Sequence, residues 1–341
     1  MTSSTPLPDE AAEFLRGRIG EEWSVQPLAG DASVRAYFRI VRPDGSTYML
    51  AYYPPELRAQ LQRFLNAYYA VAAHGRIPGV LHHSEHTVLQ ADVGDRTLFD
   101  LLHDERDEGL RRYRQAIELL VDFQRAGDAE INPPFTAKFF LAELAMTREF
   151  YVERLMGASP DEAARLEPCF QSLCDKVASH PYVLCHRDYH GQNLHVFNDT
   201  LYVIDYQDLR MGPDTYDVAS LLRDRGVARI IGDETELELV DRYARLVGAD
   251  RDALRRRYFE TLLQRSIKVL GTFSKQPLVR GRLHYLDFIP PAIEAIRRCL
   301  AELPELAELG RQLPMEFALE ETRERLRKEQ HGSTQDHAPA G

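Results

Sequence analysis

The feature that most constrains this chain is a short segment that brings an acid, an amide and a second acid together. It reads H-R-D-Y-H-G-Q-N over residues 186–193, and an apolar strand pattern over 201–204 then ends at Asp205. Phosphoryl transfer needs positioning and charge neutralisation more than covalent steps from the protein. An acid can orient an acceptor hydroxyl and take its proton, and amide and carboxylate oxygens suit Mg²⁺. Asp188, Asn193 and Asp205 supply that set of groups.

Length and charge limit the classes of protein that remain. A chain of 341 residues can bury a substantial core and suggests about two domains. Its net charge of −11 argues against a general nucleic-acid binder, which needs a basic surface. No secretory signal pattern and no run of about eighteen apolar residues is visible, so we expect a cytoplasmic protein without a membrane segment. No obligate protein partner is evident, and a small-molecule substrate is expected.

The first third of the chain has a β-rich pattern. A first helix is expected over residues 10–19, and the turn signal P-D-G-S at 43–46 separates two strands. Apolar spacing predicts a second helix between the third and fourth strands. The predicted strands are 25–28, 37–42, 47–53, 80–83 and 87–91, with the helix over 57–73. This order is typical of an antiparallel nucleotide-binding lobe.

From residue 96 onward the pattern becomes mainly helical. Helices are predicted over 98–103, 110–126, 138–156 and 161–179, and again from 217 to about 309. A β-rich island interrupts them at 183–185, 194–197 and 201–204. The predicted domains are an N-terminal lobe over 1–95, a helical lobe over 96–319, and a disordered tail over 320–341 that begins as a charged helix. The fold class is α+β, with a small antiparallel lobe and a larger helical one.

At this point the sequence resembles the aminoglycoside phosphotransferase and choline kinase family, whose members are related to protein kinases. In that family the loop reads H-x-D-x-x-x-x-N and the metal acid follows in an I-D-[FYW] strand. The resemblance implies a two-lobe, protein-kinase-like fold that uses ATP and Mg²⁺. It also implies that Asp188 is the catalytic base and that Asn193 and Asp205 are metal ligands.

Three further segments resemble one group within that family. Residues 30–39 read G-D-A-S-V-R-A-Y-F-R, residues 204–208 read I-D-Y-Q-D, and residues 263–271 read L-Q-R-S-I-K-V-L-G. They are similar to bacterial kinases that phosphorylate the anomeric hydroxyl of N-acetylmuramate and N-acetylglucosamine. The resemblance therefore implies a sugar substrate and a role in cell-wall recycling.

The same resemblance gives a set of nucleotide-binding residues. Taken alone, the turn at 29–31 favours a plain β-turn with a solvated arginine. With the distal motifs, its backbone N–H groups and a serine hydroxyl are expected to approach phosphates. Leu50 is expected as an apolar wall, and the backbone around 90–93 as the adenine hinge. The predicted set is Gly30, Asp31, Ser33, Arg35, Leu50, Gln90, Asp92 and Val93.

Candidate substrate residues lie near the second acid and on a late helix. Gln207 and Asp208 follow Asp205 directly, and His190 adjoins the base. Arg265 and Lys268 are one helical turn apart and share a face, where they could bind a sugar's carboxylate or simply form a solvated basic surface.

Two alternatives remain open from the sequence. Residues 47–53 contain no lysine, although most kinase-like folds place one on this strand to hold the α- and β-phosphates. That departure leaves a nucleotide-binding pseudokinase as one alternative, and another cation such as Arg35 would have to replace the lysine in an active enzyme. The other alternative is a kinase of a different small alcohol: an aminoglycoside, choline or a hexose.

Overall fold

The computed structural model of the protein describes residues 6–28, 35–127, 131–223 and 226–335. The predicted phosphate-loop residues Gly30, Asp31 and Ser33 lie outside the described residues. Within the described part, contacts divide the chain into two compact units. The first comprises Met1–Pro133, Val183–Met211 and Ser220–Val247, and the second comprises Pro134–Tyr182, Gly212–Ala219 and Gly248–Gly341.

A five-stranded antiparallel sheet forms the centre of the first unit. Its order is β1-β2-β3-β5-β4, with the hairpin between β2 and β3 closed by the turn at 43–46. There, Asp44 Oδ1 accepts a hydrogen bond from the Ser46 backbone nitrogen over 2.9 Å, which stabilises the turn. The strands are β1 (Ser24–Pro27), β2 (Ala36–Val41), β3 (Thr47–Tyr52), β4 (Val80–His83) and β5 (Thr87–Ala91). The predicted antiparallel lobe is confirmed.

Helix α1 (Asp9–Ile19) covers one face of this sheet. Ala11 and Leu15 of the helix form a buried cluster with Phe38, Leu50 and Leu89 of the strands. Successive side chains on a strand point to opposite faces, so the covered face of β3 takes Leu50 and leaves its neighbours for the other face.

As far as the structure describes it, the first unit also contains the β-rich island and five more helices. The four short strands there are β6 (Tyr182–Cys185), β7 (Leu194–Phe197), β8 (Thr200–Val203) and β9 (Arg210–Pro213), with β7 paired to β8 and β6 paired to β9. The helices are α2 (Arg58–Val71), α3 (Leu98–Asp104), α4 (Arg106–Gln124), α8 (Tyr216–Arg223) and α9 (Val227–Val247), of which α8 ends in this unit. The predicted boundary after residue 95 differs from this division, because α3, α4 and the island pack in the same compact unit as the sheet.

Helices make up the second unit. They are α5 (Ala137–Met146), α6 (Pro160–Ala164), α7 (Glu167–Ala178), α10 (Arg251–Arg280), α11 (Ile289–Glu302), α12 (Ala307–Gln312) and α13 (Leu319–Gln335). The predicted helix over 138–156 is in fact α5 followed by a π-helix, Thr147–Leu155. Its wider turn is seen where the Met156 backbone N–H donates to the Tyr151 carbonyl, five residues back, over 2.9 Å.

A glycine lets α10 approach the junction between α5 and the π-helix. A Cβ atom on Gly271 would lie 2.6 Å from the backbone nitrogen of Thr147, and this space is too small for any side chain. The buried Thr147 hydroxyl donates to the Ile267 carbonyl over 2.7 Å, which joins the two elements at the same level.

The C-terminal helix extends further than the sequence predicted. We expected a tail over 320–341 that only begins as a helix, whereas α13 continues to Gln335, with Leu326 buried. Residues 336–341 lie outside the described part of the chain. In the part that is described, no helix is both long enough and apolar enough to cross a membrane.

Candidate active site

Buried side chains hold the loop that carries Asp188 in place. His186 is fully buried, and its Nε2 donates to the Ile204 carbonyl over 2.9 Å. The Ile204 backbone N–H donates to the Asn193 carbonyl over 3.0 Å, so the loop is joined to the strand end that precedes Asp205. Tyr189, also fully buried, donates its hydroxyl to the Ala116 carbonyl of α4 over 2.7 Å. These bonds join the loop to Ile204 and to α4, and so they hold the polar residues of the motif in fixed positions.

Asp188 and Asn193 lie at opposite ends of this tight loop. The Asn193 side-chain nitrogen donates to the Asp188 backbone carbonyl over 2.9 Å, and the Asp188 carboxyl group is exposed. The next turn packs closely, since a Cβ on Gly191 would lie 2.9 Å from the Phe99 backbone nitrogen. The loop therefore leaves the Asp188 carboxylate accessible to an acceptor hydroxyl.

Asp205 has a backbone conformation that is uncommon for residues other than glycine. Its φ is 62° and its ψ is 38°, in the left-handed region. Arg187, directly before Asp188, also has a positive φ of 80°. Such conformations occur preferentially at functional sites. One oxygen of Asp205 accepts a hydrogen bond from Gln207 Nε2 over 2.7 Å, so Gln207, predicted to face the substrate, bonds to the second acid of the motif.

A cleft of about 410 Å³ lies in the first unit between the sheet and this second acid. It brings together four of the five predicted nucleotide residues that the structure describes, both predicted metal ligands and the predicted substrate residue Gln207. Those predicted residues are Arg35, Gln90, Asp92, Val93, Asn193, Asp205 and Gln207. Asp188 and His190 are outside the cleft lining, in the adjoining loop, and Asp208 is half-buried after Gln207.

Leu50 faces away from the cleft, which corrects the prediction that it forms an apolar wall. It is fully buried in the cluster beneath α1, as is Leu89. The cleft is lined instead by Met49 and Ala51, the neighbours of Leu50 on β3. The sequence offered an apolar residue at each of these positions, and the packing of α1 decides which face is covered.

Arg35 lies in the cleft against two tyrosine rings. Its Cζ atom is 5.8 Å from the ring centroid of Tyr37 and 5.8 Å from that of Tyr53. Burial acts to lower the pKa of Arg35, but the two phenols and the charge of Asp205 outweigh it and raise that pKa. Burial also raises the pKa of both tyrosines, which therefore stay neutral.

Arg39 holds the predicted hinge through two carboxylates. Its Nε lies 2.6 Å from Asp92 Oδ2, and an Nη lies 2.7 Å from Asp95 Oδ1. Asp92 also accepts the Gly94 backbone N–H over 2.9 Å. Burial acts to raise the pKa of Asp92, but the hydrogen bonds from Arg39 and Gly94 lower it overall. The Asp92 carboxylate thus orders the backbone of the predicted hinge through its bonds to Arg39 and Gly94.

Arg265 and Lys268 belong to the second unit, whereas the cleft belongs to the first. The guanidinium of Arg265 lies 4.3 Å from the ring centroid of Tyr216. Lys268 Nζ lies 3.4 Å from Glu143 Oε1 on α5. Their predicted contact with a sugar stays a prediction.

The oxygen atoms that Asn193 and Asp205 offer as ligands in the cleft suit a magnesium ion. Since the Asn193 amide nitrogen is used as a donor, its oxygen is the atom left to act as a ligand. Asp205 supplies a carboxylate on the same cleft. Among the described residues no group of three or more His, Cys, Asp or Glu side chains could hold a metal ion. A pair of protein oxygen ligands suits Mg²⁺, which keeps several waters and binds substrate phosphates.

Sequence reasoning missed several residues that build the cleft. Asn132 donates to the Leu209 carbonyl over 2.9 Å and so fixes the turn after Asp205, but its N-P-P context gave no signal. Phe64 of α2 stacks on Tyr206 with ring centroids 5.3 Å apart. His195 lines the cleft while its Nδ1 donates to the Gly94 carbonyl over 2.7 Å. The strand period alone could have indicated Tyr53, two residues after Ala51.

The profile of the phosphotransferase enzyme family known as APH matches residues 24–257. This match covers most of the chain, including the sheet, the loop and Asp205. The chain therefore belongs to the APH phosphotransferase family, and it is an enzyme of the kinase type.

Curated relatives share much of the chain's length. An N-acetylmuramate/N-acetylglucosamine kinase of Pseudomonas putida is 29% identical over 297 residues, which cover 84% of this chain and 86% of that protein. A protein of the same name from Neisseria meningitidis serogroup B is 29% identical over 299 residues, covering 82% and 87% respectively.

Solved structures show the same fold. The gentamicin complex of APH(2")-IIa superposes with a TM-score of 0.59 at 15% identity, covering 88% of this chain and 96% of that one. A ternary complex of APH(2")-IIa with streptomycin and ATP gives a TM-score of 0.54 at 15% identity, covering 83% and 97%. The predicted protein-kinase-like fold is confirmed, and a kinase of this family implies the use of ATP.

Proposed function

We propose that this enzyme transfers the γ-phosphoryl group of ATP to the anomeric hydroxyl of N-acetylmuramate, N-acetylglucosamine or both. The observation that carries the proposal is the connected arrangement of Asp188, Asn193 and Asp205. The curated relatives of the chain are named N-acetylmuramate/N-acetylglucosamine kinases. The alcohol-phosphorylating chemistry of the site and the names of the relatives point to the same acceptor class. ATP as donor favours a cytoplasmic location, and cell-wall recycling supplies such sugars.

In this proposal each polar residue of the site has a defined role. The exposed Asp188 carboxylate accepts the proton of the anomeric hydroxyl as the sugar oxygen bonds to the γ-phosphorus and the bond to the β-phosphate oxygen breaks. Asn193 and Asp205 would hold Mg²⁺, which would neutralise charge on the phosphates. Gln207 orients the Asp205 carboxylate through its 2.7 Å hydrogen bond. The products are the sugar 1-phosphate and ADP.

The cleft has groups suited to the nucleotide. The backbone of 90–93 would receive the adenine edge, between Met49 and Ala51 on one side and Ile204 on the other. Val93 is buried beside Asp92, whose carboxylate is bonded to Arg39. Gly30, Asp31 and Ser33 remain proposed phosphate-loop residues from the sequence resemblance, and His190, Asp208, Arg265 and Lys268 remain proposed acceptor residues.

A substrate panel tests the proposal. Purified protein is incubated with ATP, Mg²⁺ and each acceptor, and ADP release is followed by identification of the phosphorylated product by ³¹P NMR. We expect the two amino sugars to be phosphorylated at the anomeric oxygen. The matched control is the 1-O-methyl glycoside of N-acetylglucosamine, which lacks that hydroxyl and should be inert.

Other outcomes of the panel identify other functions. A preference for a kanamycin-like compound, choline or a neutral hexose would identify that compound, rather than the amino sugars, as the substrate. Turnover of the methyl glycoside would show that a different hydroxyl is the acceptor. Nucleotide binding without turnover of any alcohol would favour a pseudokinase and contradict the proposal.

A further inference from the structure

Two side chains at the start of β7 line the cleft together. Asn193 and His195 flank Leu194, whose backbone is extended, with a φ of −116° and a ψ of 107°, and whose side chain is fully buried. Successive side chains of an extended segment point to opposite sides, so the two neighbours of Leu194 share the side away from the core. Both of them line the cleft. His195 is therefore the next cleft-facing side chain after the proposed metal ligand.

The imidazole of His195 is bonded to the residue that follows the predicted hinge. Its Nδ1 donates to the Gly94 carbonyl over 2.7 Å. Gly94 has a φ of 71°, and a Cβ atom there would lie 3.2 Å from Phe197 Cδ2, so the end of the hinge lies close against β7. The Val196 backbone N–H also donates to the Arg96 carbonyl over 2.8 Å. These bonds hold the ring of His195 next to the hinge.

The second ring nitrogen of His195, Nε2, is left for a ligand. A carbonyl oxygen can only accept, so Nδ1 carries a proton, and Nε2 of the neutral imidazole is then an acceptor. Within the described part of the chain, no group bonds to Nε2 of this half-buried ring. Its charged neighbour is Asp95, both of whose carboxylate oxygens accept from Arg39 over 2.7 Å. A hydroxyl group suits Nε2, because it can donate to a neutral imidazole or accept from a protonated one.

We propose that His195 binds a ribose hydroxyl of the nucleotide through Nε2. In a nucleotide the ribose joins the base to the phosphates. The predicted hinge for the base, 90–93, ends beside Gly94, and the proposed metal ligands Asn193 and Asp205 line the same cleft where the phosphates would bind. His195 connects these two parts, since it is bonded to Gly94 and is two residues from Asn193. The inference rests on the proposed use of ATP and adds a preference for ribonucleotides over deoxyribonucleotides.

The experiment compares nucleotides that differ only in their ribose hydroxyls. Binding of ADP, 2′-deoxy-ADP and 3′-deoxy-ADP is measured by calorimetry in the presence of Mg²⁺. We expect the wild type to bind ADP about two- to tenfold more tightly than at least one of the deoxynucleotides, which is the net effect of one hydrogen bond. Equal binding of all three nucleotides by the wild type would overturn the inference.

Two substitutions separate the two ring nitrogens of His195. An asparagine side chain places an amide nitrogen near the position of Nδ1, so His195→Asn can keep the bond to Gly94 but has no group at the position of Nε2. A glutamine is one carbon longer and reaches that position. We expect His195→Asn to bind the three nucleotides equally, and His195→Gln to keep part of the preference for ADP.

The matched control is His103→Asn. His103 is exposed on α3, outside the cleft lining, and its Nδ1 also bonds to a backbone carbonyl, that of Phe99, over 2.8 Å. This variant should keep the wild-type preference. If His195→Asn folds poorly by circular dichroism, His195→Leu replaces it and should also lose the preference. Equal losses of affinity for all three nucleotides, with the preference intact, would mean that the ring only packs or supports the hinge, and the inference would be wrong.

The outcomes also separate this inference from the proposed function. A wild type that prefers ADP over a deoxynucleotide but phosphorylates no amino sugar contradicts the proposed acceptor and leaves the role of His195 intact. Turnover of the sugars by a wild type without any preference among the three nucleotides contradicts the role of His195 alone. A wild type that binds no adenine nucleotide contradicts both.

Discussion

The side chain of Asn193 donates a hydrogen bond to the main-chain carbonyl of Asp188 over 2.9 Å. The residue proposed to bind the metal thereby also fixes the backbone of the proposed base. Because the Ile204 N–H bonds to the Asn193 carbonyl, the same residue is tied to the strand that ends at Asp205. Asn193 thus connects the three groups of the site. Different substitutions of Asn193 should separate its contribution to metal binding from its contribution to the geometry of Asp188.

Asp188→Asn should lower kcat for sugar phosphorylation about 10²- to 10⁴-fold, because the amide cannot accept the hydroxyl proton. ATP affinity should be unchanged, since Asp188 does not line the nucleotide cleft. The measurements are steady-state kinetics and ADP binding. Asp107→Asn is the matched control, as that carboxylate is 99% exposed on α4. Full activity in Asp188→Asn would disprove its role as the base.

Two substitutions of Asn193 should separate its two tasks. Asn193→Asp keeps an oxygen ligand but loses the donor to the Asp188 carbonyl, so kcat should fall while the Mg²⁺ concentration for half-maximal rate does not rise. Asn193→Ala removes both and should lower kcat and raise the Mg²⁺ requirement. Rates are measured across a Mg²⁺ titration. Identical Mg²⁺ profiles for the two variants would contradict the assignment of Asn193 as a ligand.

Gly271→Ala should destabilise the protein by about 1–3 kcal/mol, because the added Cβ would overlap the backbone at Thr147. The free energy of unfolding is measured by urea denaturation. Gly17→Ala in α1 is the control, since its Cβ would meet no atom within 4 Å. That change should be neutral or stabilise by about 0.5 kcal/mol through helix propensity. Equal effects at the two positions would show that the close approach of α10 is not limiting.

Glu260 should make stability depend on pH. Its carboxylate is almost fully buried, with Oε2 2.8 Å from His180 Nε2. Burial acts to raise the pKa of Glu260, but the hydrogen bond and charge of His180, with Arg256, lower it below the usual 4.5. When folding lowers the pKa of a carboxyl group, that group stabilises the folded protein at pH values above its unfolded-state pKa. This stabilisation is lost as the pH falls through the folded-state pKa.

We therefore expect Glu260→Gln to be less stable than the wild type near about pH 7, with the difference shrinking below about pH 4.5. Urea unfolding at a series of pH values gives the comparison. Glu302→Gln, on the exposed surface of α11, is the control and should follow the wild type throughout. A difference that is constant with pH would mean that Glu260 acts only through packing.

The sequence predicted the order of strands and helices well, because strand alternation, the P-D-G-S turn and helical spacing are local signals. The faces of the strands were harder to assign. Met49, Leu50 and Ala51 are all apolar, so either face of β3 could have been the cleft wall. The choice depends on α1, whose Leu15 packs on Leu50 from a distant part of the chain.

The site shows the same division between local and distant information. Asp188, Asn193 and Asp205 are recognisable because their spacing along the chain reflects the chemistry. The partners of Arg39 are not, since Asp92 and Asp95 lie more than fifty residues from it. Local spacing likewise predicted a continuous helix over 138–156, whereas the π-helix packs against α10 at Gly271.

The left-handed backbone of Asp205 bears on whether this chain is a working enzyme. Glycine would adopt that conformation without the cost of about 1 kcal/mol that a side chain incurs. On backbone stability alone, glycine would be the favoured residue at this position, and only an acid supplies a carboxylate there. An acid that occupies a position where glycine would be more stable is itself an argument for a working phosphotransferase rather than a pseudokinase.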